Sequence, residues 1–267
     1  MKISEVGQGK VVLLAGGGKV FADVAARFCR SEKSLDELAG APHDVELVRR
    51  IVQSGHEAAL EFDWFIFGVE GYSRVCETQL VRKRMASYLI KSGRVDKHGR
   101  REFSMVLPKK LQSLSFDCYV ESGIQTRSVS GRDILNIISQ WYKAGVAAGV
   151  PEEDLRYLKP QATEFKGVIG MNAHALRDWF KIRLCNRAQA EIRDMARKMF
   201  RLCREAAPEL FVGAGPSCEV LGYCPELEQC QQRQGKVPTK AQAMEALGRM
   251  RDCVENDEEQ IHEQRWR

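Results

Sequence analysis

Nowhere in this chain do apolar residues run unbroken for the roughly 18–20 positions a helix needs to cross a bilayer. The opening residues, MKISEVGQGK, lack the apolar core of a secretory signal. Together these predict a soluble, cytoplasmic protein with no membrane partner. A phosphate loop is also missing: GGGK at 16–19 is followed by Val20, where that motif needs Ser or Thr. No internal repeat is visible. The most informative shortage is local. Gln79 to Val95, QLVRKRMASYLIKSGRV, contains no acid but holds Arg82, Lys83, Arg84, Lys91 and Arg94. Solvated helices usually mix signs.

What is present bounds the class. The 267 residues are 44% hydrophobic and 29% charged, enough for one large domain or two small ones with a real core. The net charge of +5 is mild, and the basic run lacks the alternating aromatics of a stacking surface. We therefore expect no nucleic-acid polymer as partner. A small anion needs only a few well-placed guanidinium groups. Nine cysteines, an odd number, read as free thiols or metal ligands in a cytosolic chain.

Periodicity predicts an α/β fold in which helices outnumber strands, a mixed sheet with flanking helices. Strands are expected at 10–14, 61–69, 102–107 and 115–121. Helices are expected at 20–30, with Val20, Val24, Ala25 and Phe28 on one face, and at 44–54 and 74–84. A further helix at 131–149 should turn Ile134, Ile137, Ile138, Trp141 and Ala144 inward. Asn172 is placed to cap a helix bearing Leu176, Trp179 and Phe180, and the pattern continues through Ile192, Met195, Met199 and Leu202. Met85 and the aromatics of 62–67 read as core. A domain of residues 1–210 is followed by a distinct stretch, 211–267. Its Gly-, Pro- and Cys-rich loop leads to a last helix opened by Thr239 and Gln242 and carrying Met244, Leu247 and Val254.

On a helix, Arg82, Lys83 and Arg84 would point in three directions, so they cannot all address one small ligand from one chain. Ser87, Ser92 and Gly93 add hydroxyl and backbone donors, and a glycine turn before Arg94 suits a phosphate nest. The run from Arg82 to Val95 resembles the signature of flavin-dependent thymidylate synthases, R-H-R-x-x-S-x-N-E-x-S-x-R-Y. Five of nine fixed positions match, while Lys83, Leu89, Ile90 and Val95 replace His, Asn, Glu and Tyr. Further blocks follow in register: AARFC at 25–29, GHEAALEF at 55–62, LRYLKP at 155–160, NAHAL from Asn172, and IRLCNRAQAEIR at 182–193. Phe62, His174 and Arg187 depart from that pattern.

The resemblance implies a homotetramer with shared active sites. FAD, reduced by NADPH, would serve methylene transfer from methylenetetrahydrofolate to carbon 5 of dUMP. It implies that Gln79, Arg82, Ser92, Gly93, Arg94 and Arg156 hold dUMP, with Arg183 at the uracil as the catalytic group. It implies a flavin site lined by His56, Arg82, Lys83, Arg84, Asn172, His174, Asp178 and Arg187. Alternatives stand beside these roles: a surface ion pair of Arg183 with Glu191 or Asp178, and a helix-exit role for His56 after Gly55. Loss of the signature carboxylate leaves a second reading open, a paralogue that binds flavin and nucleotide without methylating dUMP. Separately, Cys218, Cys224 and Cys230 lie six residues apart, wider than the usual zinc spacing. They read as free thiols in a loop or a reversible disulfide, or as candidate ligands for zinc or an iron–sulfur centre, with Cys203, Cys253 or His262 as the fourth.

Overall fold

The computed structural model describes residues 1–18, 20–92, 104–121 and 125–248. Among the described residues eight strands appear: β1 (Lys2–Glu5), β2 (Lys10–Ala15), β3 (Trp64–Ser73), β4 (Ser87–Ile90), β5 (Ser104–Leu107), β6 (Ser115–Glu121), β7 (Gln125–Ser130) and β8 (Glu164–Asn172). The helices are α1 (Ala22–Phe28), α2 (Leu35–Ala39), α3 (Val45–Gln53), α4 (Arg74–Leu80), α5 (Lys109–Ser113), α6 (Gly131–Ala147), α7 (Glu152–Leu155), α8 (Ala173–Arg183), α9 (Ala190–Ala206) and α10 (Ser217–Val220).

The central sheet is antiparallel in the order β2-β3-β8-β4. β1 pairs parallel to β5, and β6 with β7 forms a separate hairpin. Residue alternation along β3 sends Phe65, Phe67 and Val69 into the core, where β8 adds Ile169 and Met171. Leu176, Trp179 and Phe180 of α8 and Ile192, Met195 and Met199 of α9 cover that face, as their spacing predicted. Asn172 caps α8 by accepting from the Ala175 N–H at 2.8 Å. Gly71 takes φ +77° where the β3–β8 register shifts, so β3 continues through it to Ser73, past the expected end at 69.

Three expectations are corrected. Met85 and the aromatics of 62–67 are not all core: Met85, Phe62 and Trp64 are exposed, as is Ile66 between the aromatics. With Val12, Leu14, Leu89 and Val168 the outward residues of β3 leave the sheet's second face open and apolar, each 37–75% exposed. On α6 the apolar stripe exists but faces outward, with Ile134, Ile137 and Trp141 exposed. Leu135 and Tyr142 pack instead into a small second core with Met105, Leu107 and Leu155. On α1, Ala22 and Asp23 are buried while Phe28 is exposed.

The tail carries the predicted capping box: Thr239 N donates to Gln242 Oε1 at 2.9 Å and Gln242 N to Thr239 Oγ1 at 3.2 Å. Residues 240–248 are helical, with Met244 and Leu247 exposed. Val254 lies outside the described residues. Among the described residues no helix is long and apolar enough to cross a membrane.

Candidate functional site

The acid-free run is not one long helix. α4 ends at Leu80, a turn at 81–86 carries Arg82, Lys83 and Arg84, and β4 then pairs with β8. The turn is held from beneath. Tyr88 Oη donates to one of the two carbonyls that face it, Leu80 O and Lys83 O, each at 2.9 Å. Burial pushes the Tyr88 phenol up to about 12, so it remains a donor at neutral pH. Arg82 and Arg84 are exposed and, among the described residues, their side chains have no hydrogen bond or ion pair.

Lys83 belongs to an ion-pair network that joins several expected flavin residues. Lys83 Nζ lies 3.5 Å from Asp178 Oδ2, and Lys181 Nζ lies 3.1 Å from Asp178 Oδ1. Burial works against the Asp178 carboxylate, but the Lys181 hydrogen bond and the charges of Lys181 and Lys83 win, holding it below its ordinary range. His174 sits between Glu61 at 3.1 Å and Glu57 at 3.7 Å. Glu57 also receives the Nε of buried Arg177 at 2.9 Å, whose Nη1 donates to Leu210 O and Val212 O. Thus Lys83, His174 and Asp178 are brought together. His56 is exposed just after Gly55 (φ +73°), and its N–H donates to Ile51 O at 3.1 Å, closing the exit from α3. Asn172 is buried, with its side-chain oxygen committed to the α8 cap.

Arg183 pairs with neither Glu191 nor Asp178. Its Nη2 donates to Gln79 O at 3.0 Å, at the C-terminal end of α4. Buried Glu191 instead accepts from Ser73 N at 2.6 Å and Ser73 Oγ at 2.5 Å. The Gln79 side chain hydrogen-bonds Gln189. Gln79 and Arg183 therefore form one unit across α4 and α8.

Ser92 and Arg156 meet elsewhere. They line a cavity of 670 Å³ that also presents Arg74, Lys91 and Lys159. Arg156 is exposed and has no side-chain partner among the described residues. Arg74, at the first turn of α4 and held by Glu77 at 2.6 Å, was missed by sequence reasoning; a lone Arg beside a strand end gives no signal. Gly93 and Arg94 lie outside the described residues.

A second cavity, of 500 Å³, is lined by Arg183, Arg187 and the tail. Arg187 donates to Glu228 O at 2.7 Å, so its guanidinium is engaged by the tail loop. Cys218, Cys224 and Cys230 line the same cavity. Cys203, one proposed fourth ligand, is buried in the main core on α9, and burial pushes its thiol well up. Cys253 and His262 lie outside the described residues. Among the described residues, no group of three or more His, Cys, Asp and Glu is gathered to hold a metal ion.

Residues 15–209 match the family model described as thymidylate synthase complementing protein. The flavin-dependent thymidylate synthase of Geobacter sulfurreducens is 37% identical over 206 residues, spanning 76% of this chain and 84% of that protein. Its counterpart in Nitratidesulfovibrio vulgaris is 40% identical over 184 residues, spanning 68% of this chain and 73% of that protein. The fold is similar to a UMP/dUMP methylase, PolB from Streptomyces cacaoi, solved with 5-Br dUMP. The TM-score is 0.61 with 18% identity, covering 80% of this chain and 98% of that one.

Proposed function

Because the chain belongs to the flavin-dependent thymidylate synthase family, we propose that it methylates dUMP to dTMP, taking the one-carbon unit from methylenetetrahydrofolate and reducing equivalents from NADPH. The observation that carries this reading is a set of exposed guanidinium groups, Arg82, Arg84 and Arg156, without partners among the described residues. Uncompensated arginines fit planar, bidentate binding of phosphate. Ser92 and Arg156, with Arg74 and Lys159 beside them, would take the nucleotide phosphate; Gly93 and Arg94 extend the same run.

The residues present fit FAD. Arg82 and Arg84 suit its diphosphate, Lys83 and Asp178 form an ion pair beside them, His174 precedes Asp178 by one turn on α8, and His56 adjoins Glu57, which faces His174. Asn172, at the cap of α8, and Arg187, held by the tail loop, are assigned to the flavin from the family's motifs. When bound, FAD supplies the electrons that complete the methyl group. This chain's own work is to bind, orient and stabilise charge. Arg183 is assigned to the uracil. Its guanidinium is aimed by the hydrogen bond to Gln79 O, so it can stabilise negative charge developing on the ring without reorganising.

Within one chain Arg183 and Arg156 face different cavities. A site that needs both takes them from different subunits, and we assign a homotetramer. Two open apolar surfaces support assembly: the outer sheet face with Trp64 and Leu89, and the α6 stripe with Ile137 and Trp141. We take residues 1–210 as the catalytic unit and 211–267 as an appended segment. Complementation of a thymidine-requiring strain tests the function: growth is expected with the intact chain and not with Arg183→Ala. Failure of the intact, expressed chain to restore growth would overturn the reading.

A further inference from the structure

Four cysteines from two distant stretches line the 500 Å³ cavity: Cys185 in the turn between α8 and α9, and Cys218, Cys224 and Cys230 in the tail. The tail around them has little apolar burial to hold it. Leu227 is fully exposed and Leu221 is 48% exposed. Its backbone is nevertheless hydrogen-bonded around the thiols. Cys224 is buried, its N–H donates to Pro238 O at 2.9 Å, and it bridges to Thr239. Ser217 Oγ donates to Lys181 O at 3.1 Å, tying the loop to α8. A small loop without a core needs another staple.

The surroundings suit thiolates. Arg183, Arg187, Arg197 and Arg233 line the same cavity as Glu219 and Glu226; Arg233 pairs with Glu219 and Arg187 with Glu226, so the wall carries more cations than acids beside the sulfurs. Asn186 directs its Nδ2 toward Cys230 Sγ at 3.8 Å, an N–H···S contact of the kind that tunes metal-bound sulfur.

The spacing favours one class of ligand. A single zinc draws four sulfurs to ~2.3 Å from one point, and no such convergence exists among the described residues. A polynuclear core spreads its cysteine ligands around several metal atoms. We propose that Cys185, Cys218, Cys224 and Cys230 ligate an iron–sulfur cluster that staples the tail to the α8–α9 turn, beside Arg183 and Arg187.

The test uses the full chain purified without oxygen. Iron and acid-labile sulfide are expected in equal amounts, at least about two of each per chain. Dithionite reduction should give a paramagnetic signal that relaxes faster than a flavin radical. Cys185→Ser should lose iron and sulfide, whereas Cys29→Ser, on the exposed end of α1, should keep both. Because the first variant could misfold, alkylation of the unaltered protein gives a second readout. The four cluster thiols should resist modification while Cys29 reacts, and stripping the iron should abolish that protection. Zinc without sulfide, no metal after reconstitution with iron and sulfide, or Cys185 reacting as fast as Cys29 in iron-loaded protein would each overturn the assignment. Metal content is read without methyl transfer, so this result is independent of the proposed activity.

Discussion

Glu191 is the buried acid on which the Gln79–Arg183 unit depends, and its removal has a calculable cost. Its carboxylate takes two hydrogen bonds from Ser73, from N at 2.6 Å and Oγ at 2.5 Å, in a fully buried setting. Ser73 in turn caps α4, accepting from Cys76 N at 3.3 Å. Hydrogen bonds to a charged group contribute ~1.5–3 kcal/mol each, and leaving a buried amide unpaired adds to the loss. Glu191→Ala should therefore cost about 3–5 kcal/mol, a large share of a typical stability of ~5–15 kcal/mol. Glu191→Gln keeps one acceptor oxygen and should cost about half as much. Urea unfolding followed by far-UV circular dichroism, at one fixed protein concentration because assembly adds to stability, measures both. A loss below ~1 kcal/mol for Glu191→Ala, or a greater loss for the Gln variant, would refute the reasoning.

Three other outcomes follow from the site. Arg156→Ala should raise the KM for dUMP ~10–100-fold in steady-state kinetics, and Arg156→Lys should recover only part because it lacks the planar pair of donors. The Asp178 carboxyl is held below its ordinary value of 3.8, so its stabilisation is complete above that pH and is lost as pH falls through the lower folded value. Acid titrations of wild type and Asp178→Asn should therefore converge below pH ~4. Leu89→Glu on the open sheet face should dissociate the assembly in sedimentation velocity and lower flavin retention with it, without unfolding the protein, since Leu89 is 75% exposed.

Local rules carried much of the fold. The α8 cap at Asn172 and its face of Leu176, Trp179 and Phe180 depend on neighbours within a few residues, and so does the Thr239–Gln242 box. What covers a face is a different matter. Ile134, Ile137 and Trp141 make an apolar stripe readable in the sequence, but periodicity cannot say whether the same chain buries it. β4 is four residues long inside a cationic run, and its strand character comes from pairing with distant β8. β7, QTRSVS, carries no apolar alternation and was missed. Motif order pointed to Lys83, His174 and Asp178, which the fold places near one another. It could not reveal that Arg156 and Arg183 open onto separate cavities, nor that Cys185 approaches the tail, because both depend on contacts far apart in sequence.

The loss of the signature carboxylate at Ile90 makes the chemistry itself the decisive question. The most direct measurement is tritium release from dUMP labelled at carbon 5, with methylenetetrahydrofolate, FAD and NADPH under anaerobic conditions. The account predicts tritium released in step with dTMP formed, and neither from Arg183→Ala. NADPH oxidation by the flavin-loaded protein with no tritium release and no dTMP would contradict it.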